Sequence, residues 1–300
     1  MSIVMNIDAE LKGASGMKIR EQCLPCLVSQ AIKTANLIQA ENREELYHKI
    51  FAQMSRLDFS KTNPEIAGEN YRLLRQHTGC KDPYHETKKY YNQYFLDRID
   101  VYEEKIHSVE DAVKYAIAAN IIDFNPVHEN VDEDIHSFFS DMDKRLLTIN
   151  DVQQLLDDIR KSETILYLGD NCGEICFDQI LIRRIREINP DSRIYFGVRG
   201  EAVVNDNTME DAYFTGMDQY AEIISNGDDS LGTVLSRTST EFLQIYKKAD
   251  VVIAKGQANY ESLSEENKNI YFLLVVKCKV MAETLGVEEK SFVCMKQKKI

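Results

Sequence analysis

The chain is short of positive charge. Its 36 Lys and Arg stand against 49 Asp and Glu, a balance of −13 over 300 residues. A nucleic-acid binder that works by bulk charge needs a basic footprint to displace counterions, so that class is set aside, though a local basic pocket is not. The opening MSIVMNIDAELKG lacks a basic segment followed by an apolar core and is read as carrying no secretory signal. Long apolar runs are missing as well: the strongest, Ile270 to Val276, is far short of the ~20 residues a membrane span needs. The cysteines number seven, odd and scattered. That does not suit a disulfide framework, and a reducing cytoplasm is the expected location. No internal repeat or low-complexity tract appears.

What remains is the composition of a packed globular protein, 44% apolar and 28% charged, long enough for one large domain or two small ones. Two halves read differently. Up to about residue 160 helical periodicity dominates: Leu27, Ala31, Ala35 and Ile38 share one face, and Ser108 with Asp111 is expected to make a capping box ahead of a helix that carries Val109, Val113, Ala116 and Ile117. Asn150 is expected to cap a helix that buries Val152, Leu155, Leu156 and Ile159. From about 163 short β-prone runs alternate with helical segments. Strands are expected at 164–168, 193–198, 222–225, 250–254, 270–276 and 291–295, with a helix after Thr208 capped through Asp211. The expectation is an α/β protein: a mainly helical portion, 1–160, packed on a Rossmann-like α/β/α core, 161–300, with a mainly parallel sheet.

Open parallel sheets bind ligands beyond the carboxyl ends of their strands. The residues found there are Gly169-Asp170-Asn171-Cys172-Gly173-Glu174, then Arg199-Gly200 and Asn205-Asp206, then Lys255-Gly256 with Asn259, then Lys277. Asp170, Asn171 and Asp206 offer oxygen ligands suited to Mg²⁺ or Mn²⁺. Gly173 precedes a helix whose amides can face an anion, and Lys255 beside Gly256 can meet phosphoryl oxygens as a point charge. Singly, each has a plainer explanation: an Asx turn at Asp170-Asn171, a helix start at Asp206, a solvated lysine at 255, an ordinary ion pair at Arg199. Their joint placement on one rim is what points to metal and phosphate chemistry.

These blocks, with Cys23-Leu-Pro-Cys26, Asp82-Pro-Tyr84, Ala119-Asn120-Ile-Ile-Asp123 and Lys277-Cys278, resemble the DUF89 family of metal-dependent damage-control phosphatases, in its stand-alone prokaryotic branch that carries a CxxC. The resemblance runs over nearly the whole chain. It implies a divalent ion (Mg, Mn, Co or Ni) on Asp170, Asn171 and Asp206, phosphate contacts from Asn120 and Lys255, and hydrolysis of phosphate monoesters such as sugar phosphates or damaged phosphometabolites. Catalysis is expected to fall to Asp170, Asp206 and Lys255, with Gly173, Glu174, Arg199, Asn205, Gly256, Asn259 and Lys277 expected around the substrate. The partner implied is a small phosphorylated metabolite; neither nucleic acid nor membrane is expected. Ala202 stands where many relatives carry proline, leaving the loop before Asp206 less rigid by sequence.

Cys23 and Cys26 have metal-ligand spacing, but one pair does not complete a tetrahedral site, and Cys80 and His85 would have to join them. A redox pair or two thiols packed as small apolar groups are the other readings, the last fitting Pro25 at a helix start. Cys172 and Cys176 read as filler. An S-adenosylmethionine-dependent methyltransferase is the competing enzyme class. However, the turn after the first strand lacks G-x-G-x-x-G, and the second strand ends in Arg199 where a ribose-binding acid belongs; both facts also weigh against a nicotinamide dehydrogenase. A metabolite-binding protein without turnover is the remaining alternative.

Overall fold

The computed structural model describes residues 17–119, 135 and 139–298. The helical portion begins with α1 (Leu24–Leu37), which has Pro25 in its first turn. It continues with α2 (Arg43–Met54), α3 (Asn63–Thr78), α4 (His85–Leu96), α5 (Ile99–Glu103) and α6 (Val109–Ala118). Local chemistry sets several of these limits. Thr62 and Glu65 form a full capping box ahead of α3, and Gly79 at φ 70° ends it. The Ser108 hydroxyl accepts from the Asp111 amide at the start of α6.

The sheet portion runs β1 (Leu147–Asn150), α7 (Val152–Ile159), β2 (Thr164–Leu168), α8 (Glu174–Ile188), β3 (Arg193–Val198), α9 (Met209–Phe214) and β4 (Glu222–Ser225). It then passes through α10 (Thr240–Lys248), β5 (Val251–Lys255), α11 (Gly256–Leu263), β6 (Ile270–Val275), α12 (Lys279–Leu285) and β7 (Phe292–Lys296). The seven strands lie in the order β1-β7-β6-β5-β2-β3-β4. All neighbours pair in parallel except β6 with β7, so the sheet is mainly parallel.

Alternate side chains sort the core into two layers. Ile165, Tyr167, Ile253, Tyr271 and Leu273 pack with Phe95, Val113 and Phe177 from the helices. Their neighbours Leu166, Leu168, Val252, Phe272 and Leu274 pack with Phe242, Tyr246 and Leu263 on the other face. Both faces of β2, β5 and β6 are therefore buried, which explains their unbroken apolar runs. β1 was not among the expected strands. It and α7 lie before residue 160, yet β1 pairs with β7 and α7 adds Leu155 and Ile159 to the core. Asn150 serves α7 from one position further out than a cap: its side chain accepts from the Val152 amide at 3.1 Å. Thr208 and Asp211 make the capping box of α9.

Chain order reverses beside β2, whose neighbours are β3 on one side and β5 on the other. The carboxyl ends of β2 and β5 thus flank a topological switch point, where an open sheet leaves a crevice.

Candidate metal and phosphate site

Two loops close over this crevice and are stitched together by their backbones. The Asn207 amide donates to the Asp170 carbonyl at 2.8 Å and the Cys172 amide to the Asn205 carbonyl at 2.9 Å. Asn171 and Asp206 face each other in an isolated antiparallel bridge. The loop after β2 and the loop after β3 therefore present Asp170, Asn171 and Asp206 side by side. Arg199, at the end of β3, joins them: its Nε donates to Asp206 Oδ2 at 2.7 Å and its Nη2 lies 3.7 Å from Asp170 Oδ1. Gly256 is pressed against the same carboxylate. At φ +78° it has a conformation that favours glycine, and a Cβ there would sit 1.9 Å from Asp170 Oδ2.

A second ionic group lies beneath. Lys255 Nζ donates to Asp178 Oδ1 at 2.6 Å and to Glu174 Oε2 at 3.2 Å, and the Tyr167 hydroxyl adds a 2.6 Å bond to the same Asp178 oxygen. Asn171 links the two groups through its Nδ2, which reaches Glu174 Oε1 at 2.5 Å and Asp170 Oδ2 at 3.1 Å. Within this network the buried carboxylates Asp170, Glu174, Asp178 and Asp206 outnumber the buried cations Arg199 and Lys255 by four to two. Electrostatics follows the count. Burial pushes Asp206 up to about 7 although Arg199 opposes the shift, and the charge of Asp170 adds to it. Burial also pushes Glu174 up to about 7 against the pull of Lys255, again with Asp170 adding to the rise. Asp178 is raised by burial as well. Burial works against the charge on Lys255, but Asp178 and Glu174 outweigh it and hold that lysine above its ordinary value. A cluster rich in buried acid oxygens and poor in compensating charge suits a hard dication, so the donor set of Asp170, Asn171 and Asp206 fits such an ion.

The other expected site residues fall into distinct places. The Gly173 amide, expected to face an anion, instead donates to Asn92 Oδ1 of α4 at 2.7 Å, with Gly173 at φ 77°. Asn259 spends its carboxamide on the scaffold: it donates to the Lys255 and Gly169 carbonyls and accepts from Thr233. Lys255 is fully buried, with its ammonium on the two acids. Lys277 follows β6 and is exposed, and its charge lowers both Glu174 and Asp206. Asn205 is half-buried and takes part through its backbone carbonyl. Asn120 lies outside the described residues.

The loop before Asp206 carries strain. Val204 has φ 47°, the left-handed region, which costs an L-residue about 1–2 kcal/mol. Ala202 offers its carbonyl to Arg75 of α3 at 2.6 Å.

Several contributors were not expected. Asp178 stands four residues after Glu174, and that spacing on an otherwise apolar helix face was its only signal. From α4, Asn92 holds Gly173 and also reaches Asp211, while the nearly inaccessible Lys88 bridges Asp211 and Asp82. No group of three or more His, Cys, Asp or Glu among the described residues is arranged to hold a metal. This leaves Cys23 and Cys26 without partners from Cys80 and His85, and it does not touch the Asp-Asn-Asp set, which has two acids and an amide. All seven cysteines are free thiols. Among the described residues no helix is long and apolar enough to cross a membrane.

Comparison with known proteins shows the family and the fold. The family model of the damage-control phosphatase ARMT1-like domain matches residues 19–293. A damage-control phosphatase of Pyrococcus horikoshii is 34% identical over 291 residues, covering 94% of this chain and 99% of that protein. One from Archaeoglobus fulgidus is 29% identical, covering 90% and 96%. An uncharacterized protein of Methanocaldococcus jannaschii is 32% identical, covering 94% and 96%. The crystal structure of a DUF89 family protein from P. horikoshii superposes with a TM-score of 0.88 at 33% identity, covering 94% of this chain and all of that one.

Proposed function

The chain belongs to the DUF89 family of damage-control phosphatases, and from that premise we propose that it hydrolyses phosphate monoesters of small metabolites, sugar phosphates or damaged phosphometabolites, with a divalent ion held by Asp170, Asn171 and Asp206. The observation that carries this reading is the network of four carboxylates and two cations buried at the switch point of the sheet. When bound there, Mg²⁺, Mn²⁺, Co²⁺ or Ni²⁺ supplies charge for a phosphoryl oxygen and a lowered pKa for a water.

The chain's own residues do the positioning. Arg199 holds the Asp170 and Asp206 carboxylates on one centre, and Asn171 is oriented by the two acids that take its Nδ2. Lys277 is the solvent-side cation for the phosphate, a role that phosphoryl transfer asks of positioned charge. Lys255 acts from below, fixing Glu174 and with it Asn171. Asn120 and Asn205 stay candidates for the substrate side. The free thiols support a reducing, cytoplasmic setting. The methyltransferase alternative gains nothing from β3, which ends in a cation already committed to Asp206.

The test is p-nitrophenyl phosphate turnover with Mn²⁺, with and without chelator, beside calorimetry with S-adenosylmethionine. Metal-dependent turnover and no S-adenosylmethionine binding are expected. Tight S-adenosylmethionine binding with no turnover would reverse the assignment.

A further inference from the structure

We propose that Arg75 is a positioning residue for the cation site: a side chain of the helical portion that never touches the ion yet fixes the loop presenting Asp206. The inference rests on the assignment of Asp206 as a metal ligand. Arg75 Nη1 donates to the Ala202 carbonyl at 2.6 Å, and its Nη2 donates to Asp229, with Glu201 at 3.3 Å. One guanidinium thus grips the loop after β3 and the loop after β4 together. Those loops already touch: the Gly200 amide donates to the Asp228 carbonyl at 2.8 Å, and a Cβ on Gly200 would sit 2.5 Å from the Gly227 carbonyl carbon. Between the Arg75 contact and Asp206 lie only residues 203–205, among them Val204 in its left-handed conformation. A strained β-branched residue stays there only when its surroundings hold it. With the Ala202 end released, the segment can relax toward φ < 0 and swing the Asp206 carboxylate away from Asp170.

Arg72 supplies an internal control. It shares Asp229 with Arg75 but makes no bond to the loop of Asp206. The experiment is Mn²⁺ titration by calorimetry on the full chain, together with kcat and KM for p-nitrophenyl phosphate and metal-free thermal unfolding, for wild type, Arg72→Met, Arg75→Met and Arg75→Lys. Arg75→Met is expected to weaken Mn²⁺ binding about tenfold, on the scale of a supporting contact behind a metal ligand, and to lower kcat more than it changes KM. Arg75→Lys, which keeps one charge but cannot fork to both partners, should fall between, and also serves if Arg75→Met does not fold. Arg72→Met should bind Mn²⁺ within twofold of wild type even if its unfolding temperature drops as far. Mn²⁺ affinity in both Arg75 variants within twofold of wild type, or an equal loss in Arg72→Met, overturns the proposal. A wild type that binds no Mn²⁺ overturns the site assignment and this inference with it.

Discussion

The two halves of the buried ionic network are alike in make-up and unlike in setting. Lys255 with Glu174 and Asp178, and Arg199 with Asp170 and Asp206, each set one cation against two acids. The lysine group is sealed, every member at 0% exposure, whereas Asp170 and Asn171 keep 6% and 8% at the mouth of the crevice. A sealed group can exchange nothing with solvent and serves as a foundation. A group with an open edge can trade a proton for an ion. The same chemistry is thus a scaffold in one place and the proposed ion site beside it, with Asn171 as the link.

The largest effect should come from the open half. Asp170→Asn removes the charge that raises Asp206 and Glu174. It is expected to lose at least ~10³-fold of metal-dependent turnover while the metal-free protein unfolds at a higher temperature. Turnover within tenfold of wild type would remove Asp170 from the ligand set.

Next come the cations. Lys255→Met leaves two sealed acids facing each other and should cost about 3–5 kcal/mol of stability, as broken buried pairs do, with Mn²⁺ returning little of it. Arg199→Met should also destabilise, but there Mn²⁺ is expected to restore most of the loss, because the ion takes up the charge of the same two carboxylates. Denaturant unfolding with and without Mn²⁺ separates the halves, and equal rescue of both variants would erase the distinction drawn between them.

A smaller effect is the pH dependence of the metal-free protein. Glu174 and Asp206 titrate near 7 when folded, against about 4 when unfolded. Between those values the folded state binds more protons, so its stability should fall as pH rises from about 4 to about 7. The increment added by Mn²⁺ should grow over the upper part of that range, since the ion needs Asp206 ionised. Unfolding temperatures measured across pH 5 to 8 check both slopes, and a rising metal-free curve would contradict the raised carboxyls.

The sheet was largely legible because β2, β5 and β6 are continuous apolar runs and the helices between them are amphipathic. β1 was not, since four residues at the sheet edge carry too short a pattern and their partner, β7, is at the far end of the chain. The strand-end rule brought Asp170, Asn171, Asp206, Arg199 and Lys255 to one rim. It could not tell depth. Lys255 was expected on the phosphate, yet Asp178, one turn along α8, draws its ammonium inward, and only the packing of that helix on β5 reveals it. Gly173 was expected to offer its amide to an anion for the same reason, and Asn92 of α4, distant in sequence, takes it.

The most direct measurement is anomalous diffraction at the manganese edge from crystals grown with Mn²⁺. A single strong peak within about 2.0–2.3 Å of oxygen atoms from Asp170, Asn171 and Asp206 is the expected result. A fully occupied peak elsewhere in the molecule, with those three side chains turned from one another, would contradict it.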